Sequence, residues 1–124
     1  MKILVSLIAF AISCFFSSSE YSDLTFLDKR IYHMGKIASY DTTFLKTIRF
    51  TNNSTEDLEI LKVYKSCSCT DVKLSSKCLK PNEVGYVEIT VNPLNSIGLQ
   101  EITVHLIANT EIKDHVIRIL FEVE

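Results

Sequence analysis

Three cysteines form the main cluster of reactive side chains in the sequence. Cys67 and Cys69 lie in the run Ser66-Cys67-Ser68-Cys69-Thr70, and Cys78 follows nine positions after Cys69. Thiol groups at this spacing can form a disulfide, hold a soft metal ion or take part in redox exchange. Each function would depend on the elements that position the run, which follows a predicted strand at residues 58–64.

The sequence favours a disulfide that joins Cys78 to either Cys67 or Cys69 and leaves the other thiol free. A loop of about ten residues closed in this way stabilises a fold by roughly 2.5–3 kcal/mol in the chain-entropy treatment. Direct pairing of Cys67 with Cys69 is less favoured. In an extended strand their Cα atoms would lie about 6.6 Å apart, near the upper limit for a disulfide.

Metal binding and redox exchange are the alternatives for the same three cysteines. Two thiolates separated by one residue suit Cu(I), and with Cys78 they suit Zn(II), although every histidine is distant in sequence. The Cys-x-Cys spacing differs from the Cys-x-x-Cys of thioredoxin-like proteins, and no helix N-terminus is evident to lower a thiol pKa. A further interpretation is that the cysteines only pack. We therefore predict no metal site and no cofactor, and keep Cys67, Cys69 and Cys78 as alternative metal ligands.

No catalytic motif accompanies the cysteines. The sequence has no Gly-rich phosphate loop, no Gly-x-Ser-x-Gly and no His-Glu-x-x-His. The formal net charge is -2 and the basic residues are scattered, which disfavours binding to nucleic acid. We predict that the chain is not an enzyme, with a thiol redox protein as the alternative.

The N-terminus has the pattern of a secretory signal peptide, which we place at residues 1–19. A positive start at Lys2 precedes an uncharged apolar run at residues 3–12, and small serines follow at residues 17–19. The apolar run is shorter than the roughly 20 residues of a membrane span. Export would place the cysteines in an oxidising compartment, where disulfides persist.

The segment Ala11-Ile12-Ser13-Cys14 resembles a bacterial lipobox, in which Cys14 would become the lipidated first residue. Cleavage near residues 17–19 would instead remove Cys14, and the sequence does not decide between the two cleavage sites. We therefore predict an exported protein of the periplasm, outer membrane or cell surface. It would contact the membrane only through this lipid anchor.

After a short tether at residues 20–26, alternating apolar residues predict one domain at residues 27–124. At residues 43–51, for example, Ile48 and Phe50 fall on the side predicted to face the core. The sequence shows about seven short strands separated by turns, and no convincing helix. This spacing indicates an all-β fold, an immunoglobulin-like antiparallel β-sandwich of about seven strands.

The order of several short elements resembles a bacterial envelope family of unknown function, which carries a Ser-Cys-Gly-Cys-Thr motif. The matching elements are Gly35-Lys36-Ile37, Phe50-Thr51-Asn52-Asn53, Leu58-Glu59-Ile60 and Ser66-Cys67-Ser68-Cys69-Thr70. Ser68 stands at the Gly of that motif. The resemblance covers about residues 27–123.

That family resembles immunoglobulin-like modules of the ciliary and major-sperm-protein kind, which act in protein–protein association. Its members are frequently exported or lipid-anchored. The resemblance therefore implies a non-catalytic exported module that binds another protein of the cell envelope, without naming that partner.

Overall fold

The computed structural model describes residues 22–38, 43–93 and 97–124. The signal peptide predicted at residues 1–19, with Cys14, lies outside the described residues. The described residues form nine strands and contain no helix, and hence no helix that could cross a membrane. The strands are β1 (Leu24–Phe26), β2 (Ile31–Ile37), β3 (Phe44–Asn52), β4 (Leu58–Lys65), β5 (Thr70–Leu74), β6 (Cys78–Leu79), β7 (Val84–Val91), β8 (Gly98–Ala108) and β9 (Asp114–Val123).

The strands form two sheets that pack as a β-sandwich. One sheet has four strands in the order β1-β3-β7-β5, and the other has five in the order β2-β9-β8-β4-β6. The first sheet and the β9-β8-β4 part of the second follow the strand order of an immunoglobulin constant-type sandwich. The predicted all-β sandwich is confirmed. It has nine described strands rather than about seven, and β2 pairs with β9 in parallel rather than antiparallel.

The core lies between the sheets, where every second residue of the long strands is buried. The alternation predicted this, because successive side chains of a strand point to opposite faces. Fully burying one such aliphatic side chain contributes roughly 1.5–3 kcal/mol. The wholly buried residues include Ile48, Phe50, Val87, Ile89, Val91, Val104, Leu106, Ile117 and Ile119.

The sandwich begins before the predicted domain boundary at residue 27. In β1, Leu24 is buried, and it lies opposite Asn52 of β3. The hydroxyl of Ser22 donates a hydrogen bond to the backbone carbonyl of Asp57. Residues 22–26 therefore belong to the folded domain rather than to a tether, because their apolar side chains and backbone groups find partners there.

Gly35 interrupts the pairing of β2 with β9. The register shifts between His33 and Lys36, and Gly35 has a φ of 75°, a conformation that favours glycine. The irregularity in pairing therefore lies at a residue that adopts this conformation without strain.

Asn52 and Asn109 hold the start of β4. The Asn52 amide nitrogen donates hydrogen bonds to the carbonyls of Glu56 and Leu79. The Asn109 side chain accepts a bond from the backbone N–H of Glu59 and donates to the carbonyl of Asp57. These two side chains therefore hold the chain where β4 begins.

Candidate functional site

Residues 66–69 form the corner at which the chain passes from one sheet to the other. β4 ends at Lys65 in the five-stranded sheet, and β5 begins at Thr70 in the four-stranded sheet. The backbone N–H of Thr70 donates to the carbonyl of Cys67 at 3.2 Å, which closes a tight turn. Ser68 is exposed at its tip.

A disulfide joins Cys67 to Cys69 across this corner. Their Cα atoms are 5.1 Å apart, within the range that a disulfide spans. The preference for Cys78 as the partner of one of them is therefore wrong. The turn shortens the distance that an extended strand would have kept near 6.6 Å.

Cys78 lies too far from the corner to reach either cysteine. It is opposite Glu59, near the start of β4, whereas the corner follows the end of that strand. The intervening residues of β4 extend over roughly 20 Å. Since β5 carries the chain away from the corner as an extended strand, the nine-residue separation does not bring Cys78 back. Cys78 is itself bonded rather than free.

Ser66 fastens the corner to β8. Its backbone N–H donates to the carbonyl of Thr103 at 3.0 Å, and its hydroxyl oxygen accepts from the N–H of Thr103 at 2.9 Å. The serine thus continues the ladder between β4 and β8 by one side-chain bond. Replacement by a residue without a hydroxyl would leave the N–H of Thr103 without this acceptor.

The other end of the corner is fastened to the four-stranded sheet. The N–H of Asn92 donates to the carbonyl of Cys69 at 2.9 Å, and Thr70 is buried. The ammonium group of Lys65 donates to the carbonyl of Thr70. Four of the five residues of the run therefore have a structural role, and Ser68 is exposed at the tip of the turn.

The chemistry of the corner depends on its oxidation state. As a disulfide, it offers neither a nucleophile nor a metal ligand. The N–H of Cys69 donates to Sγ of Cys67 at 3.1 Å, so a thiolate formed there on reduction would keep one donor. Within the described residues, no group of three or more His, Cys, Asp or Glu side chains is placed to hold a metal ion.

The histidines make separate local contacts. Nδ1 of His105 lies 2.9 Å from Oδ1 of Asp114 on the outer face of the five-stranded sheet. Nε2 of His115 lies 2.8 Å from Oγ1 of Thr110, whose hydroxyl donates to the carbonyl of Ile112. The Nε2–H of His115 is therefore the donor. Burial lowers the pKa of His115, and the nearby Arg30 guanidinium adds to this, against opposing contributions led by Asp114.

A groove lies beside the corner, between β4 and β5, and sequence reasoning missed it. Its volume is about 290 Å³, and its apolar side chains belong to both sheets. The groove arises because β4 and β5 lie at the margins of their sheets. Which strands lie at a margin cannot be derived from the sequence of a single strand. The only sequence signal was the charge of residues 58–80, which carry five lysines against two acids. The groove is lined by Ile60, Leu61, Lys62, Val63, Val72, Leu74 and Lys77.

A protein-family model matches most of the chain. The family model described as "Protein of unknown function (DUF1573)" matches residues 25–123. No curated protein is similar to the chain in sequence.

Solved structures with the same fold come from several bacteria. A protein of unknown function from Porphyromonas gingivalis W83 has a TM-score of 0.73 at 14% identity, over 86% of this chain and 49% of that one. The VesB protease of Vibrio cholerae has a TM-score of 0.61 at 16% identity, over 95% of this chain and 36% of that one. A GH5 xyloglucanase of Bacteroides ovatus, in complex with a XXXG heptasaccharide, has a TM-score of 0.50 at 16% identity, over 82% of this chain and 19% of that one.

The chain therefore spans about half the length of the first of these proteins and less of the other two. At these identities, the likeness shows a shared fold alone.

Proposed function

We propose that this chain, which belongs to the DUF1573 family of proteins of unknown function, is a non-catalytic, exported module that binds another protein in the bacterial cell envelope. One observation carries the proposal. The cluster of reactive side chains in the sequence is closed into a structural corner by the Cys67–Cys69 disulfide. What the described chain then presents to a partner is strand edges and sheet faces, which are surfaces for association.

Export is supported by the charged and apolar pattern of the N-terminus together with the disulfide. Disulfides persist in oxidising compartments such as the bacterial periplasm and are rare in the cytosol. The lipobox-like segment ending at Cys14 would tether the module to a membrane. A non-catalytic sandwich tethered to a membrane suits a role in binding another protein at that membrane.

Site-specific photo-crosslinking in the source cell tests the proposal. A photoreactive residue is placed at Leu61 on β4 or at Leu45 on β3, since both side chains are about half exposed and lie on different sheets. We expect a discrete adduct with an envelope protein from at least one position. The absence of any adduct from both would contradict the proposal. So would turnover of a substrate that depends on Cys67 or Cys69.

Intact mass of the envelope-fraction protein completes this test. Masses before and after reduction and alkylation read the cleavage site, a lipid on Cys14 and the number of disulfides together. A full-length, unprocessed chain confined to the cytosol would overturn the exported location.

The second candidate is a thiol function of Cys67 and Cys69, and the hydrogen bond from Cys69 N–H to Sγ of Cys67 favours it. A dithiol partner would reduce this disulfide by two electrons and become oxidised to a disulfide itself. The two thiolates released here would also suit Cu(I). The reduced protein should then bind Cu(I) stoichiometrically, and the Cys67→Ser variant should not. Equal binding by the two would end this alternative.

A further inference from the structure

We propose that the free edge of β4, together with the groove beside it, binds an extended acidic segment of the partner protein as an added β-strand. This inference rests on the proposed function and names its surface and the chemistry of its partner. Three independent features of the described residues carry it: an unpaired strand edge, an apolar floor and a segregated positive charge.

The first feature is the unpaired edge. β4 pairs with β8 along most of its length, but on its other side β6 covers only Leu58 and Glu59. In the described part of the chain, no strand lies beside residues 61–65 on that side. β6 shows that this edge accepts an antiparallel neighbour, so an added strand would continue where β6 stops. About five residues of a partner would fit along it.

The second feature is the apolar floor of the groove. Val63, Val72 and Leu74 pack against the core, yet each is only partly buried because no strand covers the space between β4 and β5. Since alternate side chains of a strand point to one face, every second residue of an added strand would enter this space. The partner segment should therefore carry an apolar residue at every second position.

The third feature is the charge around the groove. Residues 58–80 contain five lysines and two acids, whereas the whole chain has 13 basic and 15 acidic residues. Lys62 and Lys77 line the groove, and Lys73 projects from β5. Within the described ranges, none of these three makes an ion pair. The residues of the partner that face away from the floor should therefore be acidic.

The same charge disfavours a second copy of this chain as the occupant. Two β4 edges brought together would place Lys62 and Lys65 of each copy near those of the other, and like charges at a strand pair are destabilising. Lysines on an edge protect it from pairing with other copies. An acidic strand would be attracted by the same lysines that repel a second copy of the chain.

The corner sets the geometry of the groove. The segment joined by the Cys67–Cys69 disulfide lies between the end of β4 and the start of β5, whose side chains form the two walls. The Lys65 ammonium and the Ser66 hydroxyl tie this corner to both sheets. A partner strand therefore meets a surface that is already shaped, which lowers the entropic cost of binding.

The test uses capped peptides of about seven residues that alternate Glu with Val, titrated into the disulfide-bonded protein and followed by NMR chemical shifts. We expect saturable binding with shifts in β4 and β5 that weakens with added salt. A peptide that alternates Lys with Val should not bind. An N-methylated Glu/Val peptide keeps its side chains but loses backbone donors, so it should also lose binding.

Matched charge reversals locate the site. The Lys62→Glu and Lys77→Glu double variant should bind the acidic peptide at least roughly tenfold more weakly. Lys113→Glu, in the exposed turn before β9, should bind like the unmodified protein.

Three results would overturn the inference: no saturable binding of the acidic peptide, equal binding of the N-methylated peptide, or self-association of the protein through β4 in sedimentation. A crosslink from Leu45 with none from Leu61 would also overturn it, and would leave the proposed function standing.

Discussion

The side-chain amide of Asn52 donates a hydrogen bond to the carbonyl of Leu79 at 3.0 Å, which joins the end of β3 in one sheet to β6 in the other. Asn52 is wholly buried. Its amide nitrogen also donates to Glu56, and its oxygen accepts from the backbone N–H and the hydroxyl of Ser54. Every hydrogen-bonding position of the side chain is therefore used.

Removing this amide should destabilise the fold more than most single substitutions do. Asn52→Ala removes the donor to the Leu79 carbonyl and the acceptor of the Ser54 N–H, and each buried group left without a partner costs about 1–3 kcal/mol. We expect the free energy of unfolding, measured in urea, to fall by roughly 2–4 kcal/mol. Asn53→Ala, at the exposed neighbouring position, is the control and should fall by less than about 0.5 kcal/mol. Equal effects of the two variants would contradict the role of Asn52.

The disulfide at the corner should contribute only modestly to stability. A loop of three residues contributes about 1.6 kcal/mol in the chain-entropy treatment, against roughly 2.5–3 kcal/mol for a loop closed at Cys78. The Cys67→Ser and Cys69→Ser double variant should therefore lose the smaller amount in urea unfolding. Ser68→Ala, at the exposed tip, should change nothing measurable.

Peptide mapping checks the pairing itself. Trypsin cleaves after Lys65, Lys73 and Lys77, so Cys67 and Cys69 share the peptide of residues 66–73 while Cys78 falls in another. Without reduction, this peptide should be lighter than its reduced form by one pair of hydrogen atoms. A disulfide that joins Cys78 to the peptide of residues 66–73 would contradict the pairing.

Asp28 should make the stability of the loop before β2 depend on acidic pH. The Arg49 side chain, and then its backbone N–H, hydrogen-bond to the Asp28 carboxylate and lower its pKa from 3.8 to about 2. A carboxyl with a lowered folded-state pKa stabilises the fold above about pH 4, and the effect disappears as pH falls through about 2.

Asp28→Asn removes this contribution. The variant should be less stable than the unmodified protein at pH 6, and the difference should shrink steadily between about pH 4 and pH 2. Asp71→Asn, at an exposed position of β5, serves as the control. A difference that is constant over this range would show that the Asp28 charge does not matter.

His115 should give a second pH dependence in a different range. Burial lowers its pKa below the ordinary value of 6.5, so the folded state favours the neutral ring. The unfolded chain therefore takes up the proton first, and stability should fall as pH decreases below about 6.5 toward the folded-state pKa.

NMR titration of the His115 ring protons checks the direction of the pKa shift. His115→Gln retains a donor toward Thr110 but cannot titrate, so its stability should lack this change with pH. A ring that titrates at or above 6.5 would contradict the expected direction.

Much of the sandwich was predictable because a strand that buries one face must alternate. Ile48 and Phe50 were placed inward from the sequence, and both are wholly buried. Lys46 falls on the same side of β3, and its ammonium lies 4.7 Å from the ring centroid of Tyr32, where the chain end stays near solvent.

The corner and its surroundings were not predictable for a different reason. The Cys67–Cys69 pairing depends on a turn that shortens one Cα distance, and residue types alone do not specify that turn. β6 has only two residues and cannot show a period. Asn52 is buried because its side chain bonds to Glu56 and Leu79, and the sequence does not show that β6, which supplies Leu79, lies beside it. The groove depends on which strands lie at sheet edges, a property of the whole topology.

The parallel pairing of β2 with β9 also has a mechanical consequence. Five residue pairs join these strands, from Ile31 opposite Arg118 to Ile37 opposite Val123. Because the strands run in the same direction, a pull on the chain before β2 and after β9 acts along them in opposite senses. Once the short β1 has come away, the hydrogen bonds between β2 and β9 share the load in shear instead of opening one by one. A module anchored at its N-terminal side and pulled from its C-terminal side would therefore resist extension until the hydrogen bonds between β2 and β9 break together.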